Sequence, residues 1–250
     1  DKKIFVEEPI GVYADSLTHE MTFITTKKNN LKNIKQVFID CDIEVEKFIS
    51  KTFTLGVELL DNKKLQFGSF IIDLEFEKVS FAIFKNLAII HSITIPIGIN
   101  HIAKDISKMC SIDLEESVNI INNIDFSFNK DQYIFDENNY LKESYFKNSN
   151  FRKISKNLIL DVVKARLDEI AEKLSKQLIL PGFRFSSALG FVSHGELNLK
   201  DIDKYFAKFF GPAFEIFVSN KNKKNEDLEK IFLACNGAIK IIKDGWETEA

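Results

Sequence analysis

The chain has 250 residues, of which 45% are hydrophobic and 28% are charged. This balance is typical of a globular protein that buries a full core, as one large domain or two smaller ones. The formal net charge is −3, from 34 basic and 37 acidic side chains. Because general nucleic-acid binding depends on neutralising phosphates, and no basic block dominates the sequence, we expect no nucleic-acid partner.

Cysteine and histidine usage argues against disulfides and metal sites. Cys41, Cys110 and Cys235 are odd in number, far apart and embedded in apolar sequence, so we expect buried thiols in a reducing cytoplasm. The four histidines have no cysteine or carboxylate at metal-ligand spacing, so we expect no metal ligands. The sequence has no apolar run of about 18 residues and no signal-like start. Because it begins without methionine, we expect a fragment.

The first predicted elements are a strand and a helix. Residues 18–26, THEMTFITT, alternate as in a strand, and residues 30–41 place apolar side chains at helical spacing. The segment 51–60 is apolar and is equally compatible with a helix or a strand. Residues 61–64, DNKK, are expected to form a turn.

Residues 68–107 contain the most informative pattern in the chain. An apolar strand ends on Asp73, a hairpin turns through Lys85 and Asn86 into a third strand, and a turn centred on Gly98 leads to a helix. A backbone that approaches phosphate oxygens usually needs glycines, because they lack a Cβ atom. The turn after Asp73 instead reads LEFE. The pattern indicates a nucleotide-binding hairpin whose glycines have been replaced.

The second half alternates helices and strands. Two successive helices are predicted over residues 100–110 and 113–121, and residues 123–155 read as loop with short elements. The strongest helix, residues 158–178, has one continuous apolar stripe. A turn (181–182), a strand (183–187), a helix (199–209), a strand (213–218) and a final helix (226–242) follow. Hairpins mixed with helices predict a layered α/β fold.

These motifs, in this order, resemble the FtsA family of bacterial cell-division proteins, which belongs to the actin and Hsp70 superfamily. The resemblance is carried by PIGVY, LTH and NL near the start, the hairpin 68–84, IPIG with NHI and DI, and ARL with EI in the long helix. It implies an actin-like, ribonuclease H-like α/β fold that lacks most of the first half. The implied domains are the end of an inserted subdomain (1–48), an actin-like core (49–100 and 180–250) and a helical subdomain (101–179).

The resemblance also implies a nucleotide site, in which ATP binds with magnesium. Of the family's phosphate loop only Asp73 is kept, as a magnesium-water ligand or a strand-end cap, and Glu75, Phe76 and Glu77 would occupy phosphate space. A carboxylate about 4 Å from a phosphate oxygen costs roughly 4 kcal/mol, or about a thousandfold in affinity, so we expect ATP binding to be weak or lost. The implied nucleotide-binding residues are Asp73, Glu116, Ser186, Ser187 and Gly190.

A second implied site lies on the long helix. Arg166 is at the position that, in the family, helps to hold the C-terminal tail of the tubulin-like division protein FtsZ. A lone helix arginine is otherwise usually a solvated charge, but arginine can clamp an acidic tail through two parallel hydrogen bonds. Lys156, Lys164 and Glu169 are expected to contribute.

The resemblance implies a non-enzymatic adaptor that forms filaments, tethers FtsZ to the inner face of the cytoplasmic membrane at the division site, and recruits later division proteins. The family attaches to the membrane through a C-terminal amphipathic helix, whereas residues 245–250, GWETEA, have no basic amphipathic pattern. We therefore expect attachment through a segment outside this chain or from another part of it. The alternatives are an ATP-dependent actin-like enzyme of the kinase and chaperone class, and a pilus-assembly adaptor.

Overall fold

The computed structural model describes residues 6, 10–18, 21–123, 139–177, 183–184, 188–194, 202–211, 214–217 and 226–244. The chain divides into two compact units, residues 1–44 and 45–250. The helices of the described residues are α1 (Lys28–Ile39), α2 (Lys51–Leu59), α3 (Asn62–Phe67), α4 (Ile99–Cys110), α5 (Leu114–Asn123), α6 (Lys156–Gln177), α7 (Ile202–Phe210) and α8 (Glu226–Asp244). The strands are β1 (Ser69–Leu74), β2 (Val79–Lys85), β3 (Ala88–Ile95), β4 (Leu189–His194) and β5 (Phe214–Phe217).

The strands form one mixed sheet in the order β3-β2-β1-β4-β5. The first three strands are an antiparallel meander, in which Asp73 of β1 is opposite Ser80 of β2. The other two strands run parallel to β1, with Asp73 beside Ser193 of β4. The carboxyl ends of β1, β4 and β5 therefore lie along one edge, which is where open α/β sheets bind ligands.

Both faces of this sheet are covered by helices. Successive strand residues point to opposite faces, yet all six residues of β1 are buried, which explains why both faces of the strand carry apolar side chains (Phe70, Ile71, Ile72 and Leu74). One core contains Phe70, Ile72, Phe81, Ile102, Ile106, Val163, Leu167, Phe206 and Phe210, from β1, β2, α4, α6 and α7. The second core contains Ile71, Ala82, Phe84, Phe191, Leu55, Leu59 and Leu65, from β1, β2, β4, α2 and α3.

Helix α2 packs closely against α8. A Cβ atom added to Gly237 of α8 would lie 1.9 Å from the carbonyl oxygen of Thr54, so the helices cross with their backbones in contact. Lys240 and Glu58 form an ion pair across the same crossing, with Nζ and Oε2 2.7 Å apart. The segment 51–60, which the sequence leaves open between helix and strand, is therefore a helix that packs against α8. A short apolar run of this kind is assigned by its tertiary packing, because its sequence period does not distinguish the two structures.

Most predicted elements are confirmed, with bounds shifted by a few residues, and three are wrong. Among residues 18–26 the described positions form no strand, and no strand pairs with them. Residues 61–64 open α3 instead of forming a turn, because the Asp61 carboxylate caps the helix by accepting a hydrogen bond from the Lys64 amide (2.8 Å). The strand predicted at 183–187 lies at Leu189–His194, and the predicted turn at 181–182 lies outside the described residues.

The prediction of three buried thiols is wrong for two of them. Cys110 is buried, but Cys41 and Cys235 are exposed. Cys41 follows α1, a helix that has no buried residue, and Cys235 lies on α8 two positions before the buried Gly237. Apolar neighbours in sequence therefore did not establish burial, because the side of a helix that packs is decided by its tertiary contacts.

We predict that Gly237→Ala destabilises the unit 45–250 by about 1–3 kcal/mol, because the new methyl group forces α2 and α8 apart. This loss exceeds the gain of up to about 1 kcal/mol that alanine brings to a helix interior. Urea denaturation measures the change. The exposed neighbour Asn236→Ala is the control, and equal stability of the two variants would show that the crossing is not tight.

Candidate functional site

The first candidate site lies at the carboxyl end of β1. Asp73 is 4% exposed, and its Oδ2 lies 2.7 Å from the Nζ of Lys51, the first residue of α2. The same ammonium lies 2.6 Å from Oε1 of Glu75. The structure therefore pairs Asp73, which the sequence pattern singles out, with Lys51, which the pattern does not.

Two opposing effects act on the pKa of Lys51. Burial lowers it, but the carboxylates of Asp73 and Glu75 raise it more, so the pKa lies above its ordinary value. The ammonium is consequently charged at neutral pH. Lys78 adds a second cation, with its Nζ 3.4 Å from Oε2 of Glu75. The carboxylates at this strand end are thus balanced by the chain's own lysines.

The turn after β1 packs directly on the N-terminus of α4. The amide of Ile99 donates to the carbonyl of Glu75 (3.0 Å), and the amide of Asn100 donates to the carbonyl of Phe76 (2.8 Å). A Cβ atom on Gly98 would lie 2.4 Å from the carbonyl oxygen of Glu75, so only glycine permits this approach. In addition, the Asn100 side-chain amide donates to Oε1 of Glu77 (2.7 Å).

These contacts do not fit a triphosphate with magnesium. Helix N-termini bind anions through unpaired amides, but here backbone carbonyls already accept two amides of α4. The turn also carries the carboxylates of Glu75 and Glu77, which are paired with Lys51 and with the Asn100 side-chain amide. His101 caps the same helix, since its Nδ1 accepts a hydrogen bond from the Gly98 amide (3.1 Å). In the described part of the chain, no group of three or more His, Cys, Asp or Glu is arranged to hold a metal ion.

Glu116 supports a loop through hydrogen bonds to its backbone. Its side chain is 4% exposed and accepts backbone amides of Asp113 (3.0 Å), Asn148 (2.7 Å), Ser149 (3.0 Å) and Lys147. Burial raises its pKa, but the Ser149 side chain and the backbone amides outweigh burial and lower the pKa to about 2. The carboxylate therefore ties α5 to residues 147–149, and its predicted contact with a nucleotide stays a prediction.

Three of the predicted nucleotide-binding residues fall in β4 or just before it in the sequence. Ser186 and Ser187 lie outside the described residues, and Gly190 lies inside β4, between Phe70 of β1 and Phe214 of β5. Gly190 is therefore part of a strand, and its predicted contact with a nucleotide stays a prediction. The apolar run 188–192 was the sequence signal for this strand.

The second candidate site joins α4 to α6. The Nε and Nη2 atoms of Arg166 lie 2.7 and 2.6 Å from Oδ2 of Asp105, and its Nη1 donates to Oε2 of Glu169. Lys173 lies 2.9 Å from Oε1 of Glu169. A hydrogen bond from Lys173 lowers the pKa of Glu169, burial opposes this change, and the charge of Arg166 reinforces it. The Arg166 side chain is 22% exposed, so it is a clamped group at the surface and not a solvated charge.

Two predicted partners of Arg166 have other surroundings. The carbonyl of Lys164 accepts a hydrogen bond from the Tyr205 hydroxyl (3.2 Å), which also donates to Asp168 and so pins α7 to α6. Lys156 opens α6 and lies about 15 Å along the helix axis from Arg166. The structure thus brings Arg166 and Glu169 together and adds Asp105, which the sequence pattern does not single out.

We predict that the free energy of unfolding falls by on the order of 2 kcal/mol in Glu116→Gln at neutral pH, because a buried carboxylate loses charge-assisted hydrogen bonds. The folded pKa of about 2 lies below the ordinary 4.5. The contribution of the Glu116 carboxylate to the free energy of unfolding is therefore complete above about pH 4.5 and is lost as the pH falls towards 2. Urea denaturation across this range measures it. Glu115→Gln on the exposed side of α5 is the control, and an unchanged acid dependence in Glu116→Gln would contradict the assignment.

Comparison with known proteins gives one consistent result by sequence. No protein-family profile matches the chain. The cell division protein FtsA of Neisseria meningitidis is 27% identical over 115 residues, which cover 46% of this chain and 28% of that protein. FtsA of Helicobacter pylori is 24% identical over 104 residues, which cover 42% of this chain and 21% of that protein. The chain thus matches only about a quarter of the length of these curated relatives.

Solved structures identify the fold. MreB5 of Spiroplasma citri bound to ADP superposes with a TM-score of 0.63 at 19% identity, covering 87% of this chain and 68% of that one. A chain of the PilM-PilN type IV pilus biogenesis complex superposes with a TM-score of 0.58 at 11% identity, covering 83% of this chain and 56% of that one. At these identities the likeness concerns the fold alone. Together with the sequence similarity, it makes this chain a partial FtsA-like protein of the actin fold.

Proposed function

We propose that this chain is part of a cell-division adaptor, which assembles into filaments, holds FtsZ polymers at the inner face of the cytoplasmic membrane and recruits later division proteins. The observation that carries the proposal is the similarity to FtsA proteins of several bacteria on an actin-like fold. The geometry supports a role in binding, because both candidate sites consist of ion pairs and hydrogen bonds.

The Arg166 cluster supports the proposed contact with the FtsZ tail. Asp105 and Glu169 hold the guanidinium from two sides and fix its direction at the surface. Arginine has five N–H donors, and the contacts with Asp105 and Glu169 use three of them. The guanidinium can therefore donate hydrogen bonds to one further carboxylate. An acidic tail would also compete with Asp105 and Glu169 for the same cation.

We predict that Arg166→Glu weakens binding of an FtsZ C-terminal tail peptide by about tenfold or more, because one charge-assisted contact is replaced by repulsion. Asp105→Asn should instead strengthen binding severalfold, since it removes a competing carboxylate. Fluorescence anisotropy with a labelled peptide measures both changes, and circular dichroism confirms folding.

The matched control is Lys176→Glu, which makes the same charge change on the exposed last turn of α6, where the lysine side chain is 76% exposed. Arg166→Gln tests the clamp with less repulsion. If Lys176→Glu weakens peptide binding as much as Arg166→Glu does, the attraction is general electrostatics and the proposed site is wrong. If the wild-type chain binds no peptide at all, the proposed function fails.

The same proposal includes a binding role without ATP turnover. MreB5 was crystallised with AMPPNP and with ADP, whereas the turn at Glu75–Lys78 in this chain closes on α4. We predict that a titration with fluorescent ATP and magnesium detects no low-micromolar binding, because the carboxylates of Glu75 and Glu77 repel phosphate. Binding at low-micromolar concentration would refute this part of the proposal.

A further inference from the structure

The carboxyl end of β1 carries a cation that comes from another part of the chain. The Nζ atom of Lys51 lies 2.7 Å from Oδ2 of Asp73 and 2.6 Å from Oε1 of Glu75. One ammonium group therefore bridges two carboxylates that stand two positions apart at a strand end. Lys51 and Asp73 are 22 residues apart in sequence, so the packing of α2 on the sheet makes this contact.

The start of α2 is anchored, and this holds Lys51 at the strand end. The Thr54 hydroxyl donates to the carbonyl of Lys51 within the first turn (2.8 Å). Thr52 is 6% exposed, and its hydroxyl lies 2.9 Å from that of Ser50 and 3.3 Å from that of Ser92 on β3. These contacts tie the first turn of α2 to the sheet, so the Lys51 side chain extends from a fixed backbone position.

The carboxylate of Asp73 requires a cation at this place. Its side chain is 5% exposed, whereas that of Lys51 is 44% exposed. A buried carboxylate without a counter-charge is strongly unfavourable, because the protein interior does not replace its hydration. Because Lys51 is the more exposed partner, the counter-charge lies on the solvent side of the carboxylate, at a position that a dissolved ion could also reach.

The other carboxylates of the turn also have partners within the chain. Glu75 is paired through its second oxygen with Lys78, whose Nζ is 3.4 Å away, and Glu77 accepts a hydrogen bond from the Asn100 side-chain amide (2.7 Å). Nucleotide-binding sites commonly hold magnesium through one or two carboxylates together with the phosphates. At this turn, two lysines and an amide satisfy the carboxylates instead.

We propose that the Lys51 ammonium is a tethered counter-ion that takes the place of a divalent metal ion at Asp73 and Glu75, so that the turn after β1 closes on α4 without metal or nucleotide. Carboxylate oxygens are ligands that suit Mg²⁺, Ca²⁺ and Mn²⁺. The ammonium contacts one oxygen of each carboxylate and so fills the position that such an ion needs. Removal of a lysine with a purely structural role would create no affinity for metal, whereas removal of a tethered counter-ion should.

This inference rests on the proposed function, because it explains how an adaptor of this fold acts without nucleotide. Its tests use metal ions and thermal unfolding, and they need no FtsZ peptide. A wild-type chain that binds no FtsZ peptide, together with the metal responses described below, rejects the adaptor function alone. The opposite combination rejects the tethered counter-ion alone.

The first measurement is the thermal unfolding of the wild-type chain. A ligand that binds only the folded state raises Tm, so we expect a change of less than about 1 °C with EDTA, with about 5 mM Mn²⁺, or with ATP and Mg²⁺. A fall of several degrees with EDTA would overturn the proposal. So would a rise of several degrees with either addition, because the strand end would then still use a dissolved ion.

Removal of the ammonium is the direct test. In EDTA, Lys51→Met should lower Tm by about 5 °C or more, because Asp73 is then buried without its cation. About 5 mM Mn²⁺ should restore about 2–4 °C of this loss. Isothermal titration calorimetry should show that Mn²⁺ binds Lys51→Met about tenfold or more tightly than the wild-type chain. A wild-type Tm in Lys51→Met, or no gain in Mn²⁺ affinity, would overturn the proposal.

Two further variants locate the metal response. Lys78→Met is the matched control, since it removes a 49% exposed lysine from the same Glu75 and leaves the contact between Lys51 and Asp73 in place. We expect it to keep Tm within about 2 °C of the wild type and to gain no Mn²⁺ affinity. Lys51→Met combined with Asp73→Asn removes both charges and should abolish the Mn²⁺ response. If the control gains the same affinity, or the response persists in the double variant, the metal binds elsewhere and the proposal fails.

Lys51→Gln replaces Lys51→Met if the methionine variant does not fold. Glutamine keeps a hydrogen-bond donor for Asp73 but lacks the charge. The Mn²⁺ affinity of Lys51→Gln should also exceed that of the wild-type chain, and an equal affinity would overturn the proposal.

Discussion

The burial of β1 on both faces is the constraint on which the rest of the unit 45–250 depends. Phe70, Ile71 and Ile72 are each 0% exposed, so helices must cover the sheet above and below. With both faces closed, the strand ends are the open parts of the sheet, and polar side chains can gather there without disturbing the core. This is why Asp73, the only charged residue of β1, lies where a ligand would be expected and is paired with Lys51 from the covering helix α2.

The two candidate sites differ in how their charges are satisfied. At the carboxyl end of β1, two lysines neutralise the carboxylates, and the backbone of α4 pairs with the carbonyls of the turn. On α6, Asp105 and Glu169 hold Arg166 from two directions, yet the guanidinium remains partly exposed. A cation whose direction is already fixed loses little side-chain freedom when it binds a further carboxylate, which is the physical basis of the proposed contact with an acidic tail.

Prediction from the sequence succeeded where a pattern has one structural solution. The meander β1 to β3 and the long α6 have apolar spacing that only a strand or only a helix can bury. Prediction failed where a structure depends on a contact that the local pattern does not show. Residues 18–26 alternate as a strand does but pair with no described strand, and Asp61 caps a helix where a turn was expected. The clamp on Arg166 was not predictable, because Asp105 is 61 residues away in sequence and is brought close only by the packing of α4 on α6.

The sequence alone determined the order of the elements from β1 to α6, the actin-like family resemblance and the absence of glycines after Asp73, since these are properties of residue type and spacing. Only the tertiary structure decided that Lys51 pairs with Asp73, that Glu116 holds residues 147–149, and that Gly190 lies inside β4. These contacts join residues far apart along the chain. Their geometry follows from how helices and strands pack, and no local pattern of residues records it.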